Sequence, residues 1–508
     1  MFAVLVIAIL LGFPVSFTIA GIAIAFAFIG SISGVFDLSL LGALAQRVFG
    51  LLTNDVLIAI PLFIFMGVIL EKSRIAEELL ETMAKLFGSM KAGLGISVVL
   101  VGALLAASTG IVGATVVAMA MIALPTMLRN NYDPRLSCGV VCTSGTLGQI
   151  IPPSTLLIIL ADVMSNAYQQ AQFEQGKFTV ETISVGQIFA AAVIPGLLLV
   201  CVYIIYLVIY ARIYPNSAPP MKVVGDMPPK STLLITIAVP VLLIVSVLGS
   251  ILSGIATPTE AASIGGIGAV LMAGVRLGAH KGLMIGGAAA FVILAVAAGT
   301  LPVRLQRDDS SLMDLILGIN YSVLAAIGFY AIFQALRTLL KNNVLANVVT
   351  ATMTMTSMIF ATILTASMFS LVFIGLGGDE RIEQILSQMP GGATGALIFS
   401  MLIIFVLGFF LDFVEIAVIV LPLVVPVLIM MGHDPIWLAV LIAINLQTSF
   451  LTPPFGFSLF YLRGAAPKEI TTGQIYLGVL PFIGLQIIGI LIIWLLPSLA
   501  TRLPSVIY

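Results

Sequence analysis

Two stretches of this sequence place hydroxyl side chains, glycines and a Pro-Pro pair together inside otherwise apolar segments. The first runs from Thr143 to Ser154, and the second runs from Asn445 to Gly456. Proline removes a backbone donor and interrupts a helix, which frees carbonyl oxygens on neighbouring turns. Such carbonyls, together with Ser and Thr hydroxyls, can coordinate a hard cation such as Na⁺ without any carboxylate. Half-helix N-termini at the same breaks suit a carboxylate on a substrate.

The breaks recur at a constant interval along the chain. Pro125 is matched 301 residues later by Pro426, and the same interval separates two further pairs of breaks, Asp133-Pro134 from Asp434-Pro435 and Pro152-Pro153 from Pro453-Pro454. A single Pro-Pro pair is better explained as an ordinary kink or a packing contact of a membrane helix. Two copies in register, each preceded by a small-residue break, instead indicate the binding region of a secondary transporter.

Two carboxylates lie in the apolar run Leu402–Leu428, where ionised groups are costly and commonly functional. Asp412 and Glu415 are separated by i, i+3, so both can face one cavity. Asp412 could accept hydrogen bonds at a broken helix, coordinate a cation or contact substrate, and a structural cap is the alternative. We expect a substrate cavity lined by five polar residues: Asp412, Glu415, Ser144, Asn445 and Gln447.

The composition predicts an all-α, multi-pass membrane protein. Of 508 residues, 60% are hydrophobic and only 8% are charged, and roughly a dozen apolar runs are long enough to span a bilayer. The first run, Val4–Ile29, has no charged leader and is too long for the core of a signal peptide, so we expect it to remain as a span. The net charge of −1 indicates neither nucleic acid nor an anionic membrane surface as a partner.

The distribution of Lys and Arg predicts the topology. Six connections hold 15 of the 21 cations and are expected in the cytoplasm: Glu71–Lys91, Arg129–Arg135, Arg212–Lys230, Arg276–Lys281, Arg337–Lys341 and Arg463–Lys468. The connections Asp162–Gln187 and Gly377–Gly392 are poor in cations and are expected outside. Matched connections of the two stretches have opposite bias, which is typical of inverted repeats. Arg304 and Arg307 are the exception and must be placed outside, beside Asp308 and Asp309.

These crossings alternate if two segments, Gly93–Leu128 and Thr394–Met430, each enter and return or are otherwise broken. Glu71–Lys91 is amphipathic and is expected to lie in the membrane interface. The segment after Asn54 could be a re-entrant hairpin or a plain span. The predicted units are N-terminal scaffold helices, a first repeat, connecting and scaffold helices, a second repeat and a tail, at residues 1–53, 54–212, 213–349, 350–499 and 500–508.

A family resemblance supports this interpretation. Gly254-Ile255-Ala256-Thr257-Pro258-Thr259-Glu260-Ala261-Ala262 resembles the hallmark of the DctM family, the large membrane subunits of TRAP transporters. The Pro-Pro-Ser and Thr-Pro-Pro elements resemble that family's two signature segments, in the right order on either side of it. Asn445–Arg463 with Asp412-Phe413-Val414-Glu415 resembles the mannitol/chloroaromatic branch, which includes carriers of 2-oxo acids and other organic acids.

The resemblance implies a sodium-coupled, elevator-type importer of a small organic acid in the bacterial inner membrane, with two or more Na⁺ ions and no organic cofactor. Its partners would be a small four-helix membrane subunit and a periplasmic substrate-binding protein. Carried over by motif, the first sodium site would involve Ser108, Thr109, Gly148, Ile151 and Pro153. The second would involve Gly408, Ser449, Thr452 and Phe455.

The chain departs from the family pattern at two places. The family's Ser-Gly-Ser-Ser-like cluster reads Ser108-Thr109-Gly110-Ile111 here, and residues 276–345 are longer than in a typical member, by about two spans. Two other function classes are possible. A passive channel explains the breaks but not a binding protein, and a membrane-embedded enzyme needs a nucleophile with a base or a metal centre. We find no motif for either enzyme site, and Cys138 and Cys142 are expected to be packing residues.

Overall fold

The computed structural model describes residues 1–110, 112–221, 229–301, 303 and 312–508, without the side chains of residues 106, 108, 109 and 230–232. The described residues form helices and no strand. Ten helices among them are long and apolar enough to cross a membrane. The helices up to the middle of the chain are α1 (Phe2–Leu10), α2 (Val15–Ile32), α3 (Ala43–Leu52), α4 (Asp55–Lys72), α5 (Ile75–Phe87), α6 (Gly93–Thr109), α7 (Val112–Arg129), α8 (Pro134–Thr146), α9 (Thr155–Glu174), α10 (Val185–Ile213) and α11 (Lys230–Leu252).

The remaining helices complete the two matched series, and several of them are short. In order they are α12 (Pro258–Arg276), α13 (Lys281–Thr300), α14 (Leu312–Lys341), α15 (Val344–Gly375), α16 (Gly378–Ser387), α17 (Gly392–Leu407), α18 (Phe413–Glu415), α19 (Leu421–Met430), α20 (Pro435–Leu451), α21 (Phe457–Ala465), α22 (Thr472–Leu495) and α23 (Ser498–Ile507). A short π-helical turn, Ile416–Val420, joins α18 to α19.

The two halves repeat the same order of elements. A long helix, a short amphipathic helix and a two-armed apolar hairpin form the series α4 to α7 in the first half and α15 to α19 in the second. Helix α7 and the α18–α19 segment begin and end at positions 301 residues apart. Helices α8 and α20 also begin 301 residues apart, each at a proline with an aspartate at the N-cap. The side chains of Asp133 and Asp434 accept bonds from backbone N–H groups and so fix both starts.

Four of the six predicted cytoplasmic connections meet at one end of the molecule. The Asp133 N–H donates to the Ser217 carbonyl over 2.9 Å, and the Met221 N–H donates to the Gly88 carbonyl over 2.7 Å. The Arg276 Nε lies 2.6 Å from the Glu78 carboxylate. Four separate basic connections are therefore adjacent, as one membrane face requires. The exceptional residues Arg304, Arg307, Asp308 and Asp309 lie outside the described residues.

Long helices on the outside of the bundle support the two hairpins. Helix α4 packs against α12, and α15 packs against α2. Helix α4 is continuous through Pro61 and meets the Leu38–Leu52 segment at an angle of 54°. The two alternatives for the segment after Asn54, a re-entrant hairpin and a plain span, stay predictions. In the long 276–345 region, α13 and α14 pack on each other, with the rings of Phe291 and Phe329 5.9 Å apart. The boundaries of the five predicted units stay predictions.

Candidate functional site

The first hairpin is broken at Gly110, between α6 and α7. Gly110 has a φ of +62°, which favours glycine, and a Cβ there would lie 2.6 Å from the Thr155 backbone nitrogen. The Thr155 hydroxyl donates to the Gly110 carbonyl over 2.8 Å. The break is therefore held against the start of α9. The predicted sodium ligands Ser108 and Thr109 end α6 at this point, and their side chains lie outside the described residues.

The first Pro-Pro segment begins where α8 unwinds. A 3₁₀ turn, Leu147–Gln149, follows α8 and packs against α6. The chain is then non-helical until α9, and the Ser154 hydroxyl donates to the Gln149 carbonyl over 3.3 Å. Gly148 and Pro153 are buried in this segment and Ile151 is half-buried. The structure thus brings the second group of predicted first-site residues to the same hairpin that carries Ser108 and Thr109.

The second hairpin approaches the second Pro-Pro segment in the matching way. A Cβ on Gly408 would lie 2.4 Å from the Ser449 Oγ, and that hydroxyl donates to the Phe405 carbonyl over 2.6 Å. The ring of Phe455 lies 5.6 Å from the ring of Phe410, between the arms of the hairpin. The Thr452 hydroxyl donates one turn back, to the Thr448 carbonyl over 2.8 Å. Gly408, Ser449 and Phe455 therefore lie at one contact between hairpin and broken helix, and Thr452 lies at the end of the same helix, three residues after Ser449.

Asp412 and Glu415 form a reciprocal cap at the break of the second hairpin. The Glu415 carboxylate accepts from the Asp412 N–H over 2.5 Å, and the Asp412 Oδ1 accepts from the Phe413 N–H over 2.8 Å. Glu415 is buried, and neither carboxylate has an ion pair among the described residues. The pair caps α18, which was the alternative to a ligand role. The oxygens that these bonds do not use leave acceptor capacity at the break.

The other polar residues predicted for the substrate cavity are buried between helices. Ser144 packs against Gly102 of α6, and the Asn445 side chain, 301 residues on, donates to the Met401 carbonyl of the second hairpin over 2.8 Å. Gln447 donates to the Thr146 hydroxyl over 3.4 Å, and these two positions are themselves 301 residues apart. Equivalent positions of two repeats can touch only close to the pseudo-two-fold axis that relates the repeats, so Thr146 and Gln447 lie on either side of that axis. Contact of Ser144, Asn445 and Gln447 with substrate stays a prediction.

Sequence reasoning missed a large cavity beside the hairpins. It has a volume of about 690 Å³ and is lined by α3, α9, α15, α16 and α19. Asp162, inside α9, accepts a hydrogen bond from the Asn54 side chain over 2.9 Å. Arg47 lines the cavity from α3. The available signal was a charged side chain within each of two largely apolar helices, but the residues are more than 100 positions apart in sequence.

Comparison with known proteins identifies the family. The sequence pattern described as "Tripartite ATP-independent periplasmic transporter, DctM component" matches residues 2–304 and 311–499. The chain belongs to the DctM family. This DctM chain is 27% identical over 479 residues to the C4-dicarboxylate TRAP transporter large permease protein DctM of Vibrio cholerae, covering 92% of this chain and 90% of that protein.

Two further relatives extend the comparison. The DctM chain is 25% identical over 462 residues to the isethionate TRAP transporter permease protein DctMQ of Oleidesulfovibrio alaskensis, covering 90% of this chain and 59% of that one. The solved YdaH transporter of Alcanivorax borkumensis has the same fold, with a TM-score of 0.55 and 13% identity over 92% of this chain and 88% of that one. The predicted all-helical transporter fold is confirmed.

The family assignment confirms several expectations from the sequence. This DctM chain is a multi-pass inner-membrane component of a TRAP transporter and not an enzyme, because the related proteins are transporter permeases. The ten candidate spans agree with that location. Its placement in the mannitol/chloroaromatic branch stays a prediction.

Proposed function

We propose that this chain is the large permease subunit of a sodium-coupled, binding-protein-dependent importer of a small organic anion. The observation that carries this proposal is that each broken hairpin contacts its own Pro-Pro segment, through Gly110 with Thr155 in the first half and Gly408 with Ser449 in the second. Both contacts place hydroxyl and carbonyl oxygens where regular helix has ended. Irregular backbone at membrane depth is typical of ion and substrate sites in secondary transporters.

The donor set fits sodium. The first site would be formed by Ser108, Thr109, Gly148, Ile151 and Pro153. The second would be formed by Gly408, Ser449, Thr452 and Phe455. The Ser449 and Thr452 hydroxyls give their hydrogens to backbone carbonyls, so their lone pairs remain free for a cation. Sodium bound at these sites would tie each hairpin to its Pro-Pro segment, and filling both sites would couple uptake to the sodium gradient.

The proposed motion is that of an elevator. The hairpins and Pro-Pro helices would move together against the long outer helices α2, α4, α12 and α15. The 690 Å³ cavity supports this because its walls come from both groups. Helix α9, which follows the first Pro-Pro pair, and α19 of the second hairpin belong to the moving group, and α15 belongs to the outer helices. A contact surface with so large a gap can slide more readily than a close-packed core.

The substrate and partners follow from the relatives. The names of two relatives specify C4-dicarboxylate and isethionate, so a small organic anion is the proposed cargo, and a 2-oxo acid is the expected example. The relative called DctMQ extends well beyond the match, which supports a small four-helix subunit as a separate partner here. A periplasmic substrate-binding protein would deliver the anion.

Uptake into proteoliposomes tests the proposal. The vesicles would contain this chain with its small subunit, and the assay would supply the cognate binding protein with radiolabelled pyruvate, lactate, malate, succinate or 4-hydroxybenzoate. We expect accumulation only with both an inward sodium gradient and the binding protein. Equilibration without a gradient would indicate the alternative of a passive channel, and accumulation driven by another ion would exclude sodium coupling.

A further inference from the structure

The large cavity adjoins a smaller one, and the two share a group of polar side chains. The smaller cavity has a volume of about 210 Å³ and shares Arg47, Asp162, Asn166, Ser367 and Ser370 with the larger one. Its remaining walls are mainly apolar. We call these five residues the neck, because every one of them lines both cavities.

The neck is rich in donors that have no partner. Within the described part of the chain, Arg47, Asn166, Ser367 and Ser370 make no side-chain hydrogen bond and Arg47 makes no ion pair. Ser370 is 7% exposed and Ser367 is half-buried, whereas Arg47 and Asn166 are exposed. All four side chains line the cavity without a protein partner among the described residues, so together they offer hydrogen-bond donors to a ligand that enters it.

Arg47 supplies the only positive charge among the described residues that line either cavity. The carboxylate that lines both cavities, Asp162, accepts from the Asn54 amide and makes no ion pair with Arg47. Asn54 also accepts from the Val56 N–H over 3.0 Å as the N-cap of α4, so the amide is fixed between helix start and carboxylate. Asp162 is therefore bonded to Asn54, and the Arg47 guanidinium keeps its N–H groups available to a ligand.

The mouth of the cavity opens where import would begin. Its rim is formed by Glu174 at the end of α9 and by Asp379, Glu380 and Glu383 on α16. These residues belong to the two connections that the sequence predicts to be extracytoplasmic. The rim is itself acidic, so Arg47 is the one charged side chain among the described lining residues that attracts an anion.

We propose that the neck is a transient site for the substrate's carboxylate, with Arg47 as its charged anchor and the Ser367 and Ser370 hydroxyls as further donors. Guanidinium groups bind carboxylates through two parallel hydrogen bonds. The nearby Asp162 charge weakens the attraction, which suits a site that must also release its ligand. The site rests on the proposed function, because it lies on the import path of an organic anion.

Substitution of Arg47 tests the proposal in the proteoliposome assay, with each radiolabelled acid used above as the probe. We expect Arg47→Gln to raise KM for the loaded binding protein about tenfold or more, with little change in the sodium concentration for half-maximal rate. Arg47→Lys keeps the positive charge but cannot form two parallel hydrogen bonds to a carboxylate, so its KM should lie between those of the wild type and Arg47→Gln. The matched control is Arg381→Gln, an exposed arginine on α16 that lines neither cavity, and its KM should be unchanged.

Chemical restoration of the charge separates binding from structure. In an Arg47→Cys variant with Cys201→Ser, which removes the one exposed native thiol, an aminoethyl methanethiosulfonate reagent should lower KM again. A neutral reagent of similar size should not.

A wild-type KM in Arg47→Gln overturns the neck site. Loss of kcat at constant KM, unrepaired by the cationic reagent, also overturns it, because that pattern reports a structural role. Sodium-independent uptake by the wild type would contradict only the proposed function, since the KM comparison does not depend on the driving ion.

Discussion

The two broken hairpins share a frame but differ in chemistry. At the first break, backbone and a hydroxyl make the contact, with Gly110 in a left-handed conformation against Thr155. At the second break, Asp412 and Glu415 cap the returning arm with two carboxylates. The internal repeat therefore fixes where the segments lie but not which chemical groups their side chains carry. One half offers neutral oxygens, and the other adds negative charge at its break.

Removing that charge should have the largest effect. Asp412→Asn keeps an N-cap side chain, because Asn caps helices as well as Asp, but it deletes the carboxylate. We expect sodium-driven uptake to fall at least about tenfold, with an unchanged elution profile of the purified protein. Asp133→Asn is the matched control, since Asp133 caps α8, and its uptake should stay within about twofold of wild type. Equal rates for the two variants would assign Asp412 to capping alone.

The glycines at the two breaks offer a second contrast. Gly110→Ala must adopt a positive φ and approach the Thr155 backbone, so it should destabilise the protein by about 1–3 kcal/mol. Gly408 has a φ of −66° and meets the Ser449 side chain, so Gly408→Ala should cost less. Ser449→Ala should relieve part of the Gly408→Ala loss, whereas Thr155→Ala should not relieve Gly110→Ala. Melting temperatures in detergent measure the two glycine variants and their double variants with Thr155→Ala or Ser449→Ala. If the second substitution restored stability in both cases, the two breaks would not differ in this way.

The hydroxyls of Thr155 and Ser449 allow the two breaks to be compared by sodium dependence as well as by stability. Thr155→Val and Ser449→Ala each remove one bond to a hairpin carbonyl, so each should cost about 1 kcal/mol of stability. Only Ser449→Ala should also raise the sodium concentration needed for half-maximal uptake, because Ser449 is a proposed ligand and Thr155 is not. The readout is the sodium dependence of the initial rate, and a parallel shift in Thr155→Val would remove the distinction between the two sites.

The smallest expected effect concerns the contact across the axis. The Gln447–Thr146 hydrogen bond is long, at 3.4 Å, so a double-mutant cycle with Gln447→Leu and Thr146→Val should give a coupling energy below about 0.5 kcal/mol. Thermal unfolding of the four proteins measures it. A coupling energy several times larger would mean that the Gln447–Thr146 contact is a main source of the stability of the interface between the two repeats.

The prolines and small residues allowed much of the fold to be predicted from sequence. Pro125, Pro426 and the two Pro-Pro pairs mark the breaks because proline acts locally on the backbone. The amphipathic pattern of Glu71–Lys91 likewise predicted α5, although Leu86 of its apolar row is 44% exposed. These features depend on neighbours in sequence, which a single chain displays directly.

The neck and the burial of the central polar residues could not be predicted in this way. Arg47 and Ser370 share a cavity only because the bend before α4 and the length of α15 bring them together. Ser144 and Asn445 were expected in a substrate cavity because polar residues in a membrane commonly face water. In the structure they pack against the hairpin arms. These tertiary contacts join segments about 40 residues apart in sequence, which local patterns do not reveal.

The contact between Thr146 and Gln447 has a consequence for how such a protein can be built. A residue on a two-fold axis between two separate identical chains can only face a copy of itself. When one polypeptide contains both halves, the two copies of a position can carry different residues, and a hydroxyl can meet an amide. Covalent linkage thus permits complementary pairs at the centre of the molecule that a symmetric homodimer cannot encode.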